Sequence, residues 1–275
     1  MKYDVFEHAA LSGAFCRFEV EDAGPQEQAR REGPMKQLLA ISAFALVLSS
    51  TALAQQPAAP AAQEGRGGGR GAGARVTRPP LFFKEEWKQT DKGGEHPIVF
   101  DSTLSNPNLE LKVYGPSSKE LLLTGAAGDE LNPIHVWTGM CTTPCAVALR
   151  HKTHTADLSG LARLRWNTKV SGFHQIRPIV KLADGTWLIG DQADGNSTRD
   201  WLVSEITPSD LRWLKLDITR VVTTGNFVEK VDLTRVDEIG FADLMPGSGH
   251  GPGGWVDVAQ FEVYARPVPR AGATQ

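Results

Sequence analysis

Several things are scarce in this chain of 275 residues, and each shortage removes a class of protein. Three cysteines are too few for a disulfide-stapled scaffold or a multi-finger zinc protein. A net charge of −3 lacks the basic excess with which a dedicated nucleic-acid binder neutralises phosphates, so no nucleic-acid partner is expected. The longest apolar run, Leu38 to Leu48, falls well short of the ~20 residues that a membrane-spanning helix needs. No apolar periodicity near 3.6 residues persists long enough to mark a packed helix. The chain has no G-x-S-x-G elbow, no H-E-x-x-H and no Cys–His nucleophile signature. Paired glycosidase carboxylates leave no local trace, so their absence cannot be read.

What is present describes a globular, turn-rich protein: 41% hydrophobic and 22% charged residues, with 28 Gly and 17 Pro. The Leu38–Leu48 run follows Met35-Lys36 and leads to Ala52-Leu53-Ala54, the order of a cleaved export signal. Residues 35–54 are therefore expected to be a signal peptide, and 1–34 an upstream over-call of the start. No membrane anchor is expected after cleavage, and the localisation is periplasmic or extracellular. Pro/Ala and then Gly/Arg dominate 55–80, a composition that cannot bury a core and reads as a tether. Residues 81–266 read as a single domain, and 267–275 as a tail. Within the domain, Cys141 and Cys145 are expected to form a disulfide in an oxidising compartment. The alternative adds His151 and His154 as a metal set, although two His at a strand end would face opposite sides.

Short, alternating apolar runs separated by Gly, Pro, Asn and Asp predict strands at 109–114, 134–137, 146–151, 162–170, 175–182 and 186–191. Others follow at 201–206, 213–218, 238–242 and 255–264. The pattern predicts an all-β domain, an antiparallel β-sandwich or jelly roll. A D-L-[ST]-x-[LV]-x-x-[LI] phrase occurs twice, from Asp157 and from Asp232, each time closing a turn before an apolar strand.

These two turns, with the strands at Leu164-Arg165-Trp166 and Ile239-Gly240-Phe241 and the closing Trp255–Tyr264 run, resemble galactose-binding-like β-sandwiches. That group includes carbohydrate-binding modules and the complex I intermediate-associated family, and the likeness covers about 146–264. It also extends to a type of exported bacterial protein. The resemblance implies a glycan ligand on a concave sheet or on loops at one end. It also implies that a structural Ca²⁺ is common, although no full ligand set matches.

The segment Gln175–Gln192 reads as a hairpin around Ala183-Asp184-Gly185. A two-residue turn would put Trp187 with Val180 and Ile176; a three-residue loop with Gly185 left-handed pairs Leu182 with Thr186 instead. The latter is preferred and sets Gln175, Arg177, Lys181, Trp187 and Asp191 on one face. There the indole would stack on a sugar while polar groups bond its hydroxyls. The alternative is that Trp187 is core and Arg177–Asp191 a surface ion pair. Of the other tryptophans, Trp166 reads as core and Trp213 as exposed, while Trp137, Trp201 and Trp255 cannot be assigned. The Gly-rich loop Met245–Trp255 carries His250, its one titratable side chain and a further candidate ligand contact. Asp191, Asp194, Asn196 and Asp200 form an oxygen-rich stretch that invites Ca²⁺ but fails the EF-hand spacing. The leading expectation is a non-catalytic binder of carbohydrate or a glycan polymer, with no cofactor beyond that possible structural Ca²⁺. The alternatives are a glycan hydrolase or lyase using His174, His250 or an Asp as acid/base, and a partner-binding assembly module.

Overall fold

The computed structural model describes residues 77–90, 94–98, 101–194 and 198–270. The expected upstream segment, the export signal and most of the tether lie outside them. The described elements are strands and two short 3-10 turns. In chain order the strands are β1 (Leu81–Glu85), β2 (His96–Pro97), β3 (Leu109–Tyr114), β4 (Leu122–Thr124), β5 (His135–Trp137) and β6 (Cys145–His151). Then come β7 (His154–Asp157), β8 (Arg163–Val170), β9 (Ile176–Leu182), β10 (Trp187–Gly190) and β11 (Leu202–Ile206). The last are β12 (Trp213–Asp217), β13 (Val222–Val228), β14 (Val236–Asp243), β15 (Val256–Tyr264) and β16 (Arg266–Pro269). They build an antiparallel β-sandwich, as the alternation of the sequence predicts. The seven-stranded sheet runs β11-β8-β15-β5-β4-β2, with β1 also on β15. The nine-stranded sheet runs β13-β12-β10-β9-β14-β6-β3, with β7 also on β14 and β16 on β7.

Period-2 alternation explains which side chains meet between the sheets. On β8, Leu164, Trp166 and Val170 point inward while Arg163, Arg165, Asn167 and Lys169 point out. Val258, Phe261 and Val263 of β15 join Val147, Leu149, Ile176, Val180, Ile239 and Phe241 from the opposite sheet. Phe261 meets Phe83 edge-on at 5.9 Å and Phe241 at 6.3 Å. Full burial of one such side chain contributes about 1.5–3 kcal/mol.

A second, smaller apolar cluster lies on the outer face of the nine-stranded sheet, among Ala146, Ala148, Ile179, Ile189, Leu214 and Ala242. Sheet curvature makes it possible. Strands β10 and β3 are separated by β9, β14 and β6, so a flat sheet would hold them about 19 Å apart. Yet the Trp187 and Tyr114 rings meet at 4.9 Å, and Val221, beside β13, sits where any side chain at Gly115 would collide with it. The sheet curls until its two edges touch, and its concave side is filled. This also corrects Trp213, which is buried in the inter-sheet core, while its neighbours Leu214 and Leu216 serve the second cluster.

The repeated D-L-[ST] phrase does what its chemistry predicts. Asp157 Oδ1 accepts from the Ser159 N–H and hydroxyl, and Asp232 Oδ1 from those of Thr234. The two turns are also partners, because Leu158 N–H donates to the Leu233 carbonyl at 2.8 Å.

Candidate functional site

The β9–β10 hairpin adopts the three-residue loop. Leu182 N–H donates to Thr186 O at 2.9 Å, Lys181 lies opposite Trp187, and Gly185 takes φ +90°. Arg177, Lys181 and Trp187 therefore share the outer face, but each is occupied there. Arg177 donates through Nε (2.8 Å) and Nη2 to the Gly190 carbonyl. Lys181 pairs with Glu238 at 2.8 Å, and the same carboxylate accepts the Tyr114 hydroxyl at 2.6 Å. Burial and that carboxylate push the Tyr114 phenol well above its ordinary range. Trp187 is half-buried against Tyr114, packed on the cluster that fills the concave face. Asp191, past the end of β10, pairs with Arg212 at 2.7 Å, and Gln175 is exposed just before β9.

In the acidic stretch, Asp194 Oδ2 accepts the Trp166 indole N–H at 3.1 Å and Asp200 is exposed, while Asn196 lies outside the described residues. Cys141 and Cys145 form a disulfide with Cα atoms 6.5 Å apart, which removes them as metal ligands. His151 and His154 flank the β6–β7 turn with rings 5.3 Å apart, since a tight turn, not a continuous strand, separates them. Among the described residues no three His, Cys, Asp or Glu side chains cluster as a metal site.

His250 is carried elsewhere, to the outer side of the seven-stranded sheet. Its ring stacks on Trp137 at 4.6 Å and meets Trp255 edge-on at 5.4 Å. The glycines of its loop let two backbones approach each other. Gly247 N–H donates to Cys141 O at 2.7 Å and Gly249 N–H to Gly139 O at 2.8 Å. A Cβ at Gly139 would lie 2.3 Å from the Trp137 indole, so only glycine leaves room for that ring. The disulfide loop, the Gly-rich loop and the end of β5 are thus fastened into one support.

Here a hollow of about 350 Å³ opens, within the size range of small-ligand sites. His135 and Trp137 of β5, Lys169 of β8 and Asp257 of β15 form its floor. His250 and Trp255 close one side, and the Trp201 ring stands 5.2 Å from His135. Asp257 is buried; its Oδ2 accepts the Trp255 indole N–H at 3.1 Å. Its Oδ1 has no hydrogen-bond partner among the described residues, and neither has the buried Trp137 Nε1. His135 Nε2 lies 3.5 Å from that Oδ1, within ion-pair range but without hydrogen-bond geometry. Burial pushes the Asp257 carboxyl up to about 7, against the pull of Trp255 and Lys169. Burial also holds the His135 imidazole below its ordinary range, against the Pro133 carbonyl.

Behind the floor runs a buried relay. Val256 N–H donates to Thr138 Oγ1, Thr138 donates to Asp243 Oδ2 at 2.7 Å, and His174 Nδ1 lies 2.6 Å from the same oxygen. His174 is fully enclosed there, out of reach of a polymer. A larger hollow of about 490 Å³ is lined by Pro208, Leu211, Trp213, Phe227, Val231 and Leu233, but among the described residues no buried unpartnered side-chain polar atom lies on it. Two more such atoms, Asn167 Oδ1 and Arg163 Nε, belong to outward-facing residues of β8 on the seven-stranded sheet.

No protein-family model matches the chain, and no curated protein matches it. Among solved structures, it is similar to the family 11 carbohydrate-binding module of the cellulase Lic26A-Cel5E of Clostridium thermocellum. There the TM-score is 0.37 at 16% identity, over 63% of this chain and 96% of that one. A further likeness is to TmCBM61, solved with β-1,4-galactotriose (0.32, 14%, 57% and 88%). Another is to the carbohydrate recognition domain of Emp47p (0.31, 9%, 65% and 99%). At these values the likeness is one of sandwich architecture, and the functional reading rests on the residues.

Proposed function

We propose that the protein is an exported module that binds a glycan, without transforming it, in the hollow formed by Trp137, His135, Asp257, His250 and Trp255. One observation carries the reading. A buried carboxyl oxygen, Asp257 Oδ1, and a buried donor, Trp137 Nε1, are both unpartnered in a hollow walled by aromatic rings. Leaving such groups unsatisfied costs about 1–3 kcal/mol each. A sugar hydroxyl, which both donates and accepts, answers both needs, while its C–H faces suit indole and imidazole rings. A binding role fits the carboxyls better than glycoside hydrolysis, which takes a pair flanking one bond. Here Asp257 is buried, while Glu95 is exposed at the rim.

The test is a glycan-array screen of the full chain with three variants. Binding is expected for wild type and for Trp187→Ala, and loss for Trp137→Ala and Asp257→Asn, each checked for its fold by circular dichroism. Silence across the array, or loss with Trp187→Ala alone, would refute the assignment. Repeating the screen with EDTA tests the structural Ca²⁺, whose removal would weaken binding if the ion shapes the site.

A further inference from the structure

We propose that the site continues along β8 and β15 into a second hollow, so that its ligand is a linear chain of neutral, hydroxyl-rich units and not a single terminal sugar. This inference rests on the glycan reading above. Strand register makes the argument. Lys169 of β8 lies opposite Asp257 of β15 on the floor of the first hollow. The next outward residue on β8 is Asn167, two positions along and about 6.7 Å away. A register shift between Val258 and Gln260 inserts Ala259 into β15, so that Gln260, not Ala259, falls opposite Asn167. Without that extra residue the outward position would carry a methyl group in place of an amide.

Asn167 and Gln260 line a second hollow of about 220 Å³. The 132–135 segment borders both, with Asn132 and His135 on the first and Pro133 and Ile134 on the second. The second hollow has its own unpartnered buried acceptor, Asn167 Oδ1. Asn167 Oδ1 accepts, Trp137 Nε1 donates, and Asp257 Oδ1 accepts when ionised and donates when the carboxyl holds its proton. An anionic ligand would leave the Asn167 acceptor unanswered, and Asp257 would repel it once ionised. A row of hydroxyls answers all three, and the step between the two outward pairs is comparable to the length of one hexose unit.

The experiment is isothermal titration of the full chain with cello-oligosaccharides, 1,3-1,4-mixed-linked gluco-oligosaccharides and β-1,4-galacto-oligosaccharides, from one to six units. Wild type, Asn167→Ala/Gln260→Ala and Asp257→Asn are compared. Affinity for at least one series is expected to rise about tenfold or more between the monosaccharide and the tetrasaccharide, the yield of one or two added hydrogen bonds. The double variant should lose that gain and leave the monosaccharide unchanged. The Asn167 side-chain amide resonances should shift only with the longer ligands. Equal affinity at every length, still abolished by Asp257→Asn, would overturn the extension and leave a single-sugar site. No binding of any series would overturn the glycan reading itself, and this inference with it.

Discussion

Asp257 joins a strand, a hollow and a titration in one side chain. With the folded carboxyl raised from 3.8 to about 7, both states hold the proton below pH 4. Between about pH 4 and 7 the unfolded chain releases it while the folded chain keeps it, so stability falls as pH rises through that window. The slope approaches about 1.4 kcal/mol per pH unit and flattens above 7. Thermal unfolding at pH 5 and pH 8 should show Asp257→Asn gaining on wild type at the higher pH; parallel curves would remove the raised carboxyl. Gly139 makes a second single-residue prediction. A methyl there collides with the Trp137 ring, so Gly139→Ala should cost about 1–3 kcal/mol and abolish glycan binding, read by melting and indole fluorescence. Little of this was legible in the sequence. His250 was singled out for being alone in a glycine loop, but its partner Trp137 is more than a hundred residues away. Trp137, Trp201 and Trp255 could not be assigned because each sits at a strand end or in a loop, where alternation no longer decides which way a ring faces. Trp137 and Trp255 line the hollow, and Trp201 stands against its His135.

Elements were far more readable. The ten strands expected from alternation all occur, with ends displaced by up to two residues. Of those not anticipated, most are short, as at 122–124, or broken by residues that disfavour strands, as at Gly225 in β13 and the two prolines of β16; β1 (LFFKE) is neither, and its adjacent Phe82 and Phe83 blur the alternation. The hairpin loop was legible because turn chemistry is local. Gly185 has open space where a Cβ would stand, so the cost of Gly185→Ala is one of backbone conformation, about 1 kcal/mol. Urea midpoints should record that loss while glycan affinity stays level. The disulfide acts differently. Closing so short a loop contributes roughly 2 kcal/mol by chain entropy, but its Cys141 carbonyl also holds Gly247 of the His250 loop. Reduction is expected to weaken binding at temperatures where circular dichroism still reports a folded sandwich; unchanged affinity would separate the loop from the site.

At the scale of the molecule, the sandwich was legible and its curvature was not. The sequence shows two apolar faces on β12, in Trp213 and in Leu214 with Leu216, but only the meeting of distant strand edges reveals why both are needed. That closure fills the concave face and leaves the outer face of the other sheet to carry the two hollows of the proposed site. Charge is nearly balanced, and the proposed contacts are hydroxyl bonds and ring faces. Affinity should therefore change less than about twofold between 50 and 500 mM NaCl, where a binder held by ion pairs would weaken severalfold. The Phe82 ring stacks on His151 at 5.1 Å, and Arg270 donates to the His151 carbonyl at 2.9 Å. The described chain thus enters and leaves at one corner. Strand β15 runs from Asp257 in the hollow to Tyr264 beside Leu81, so that corner lies about 23 Å from the hollow. A pull applied between residues 77 and 270 is expected to peel β1 from β15 and β16 from β7 at that corner, away from the proposed hollow.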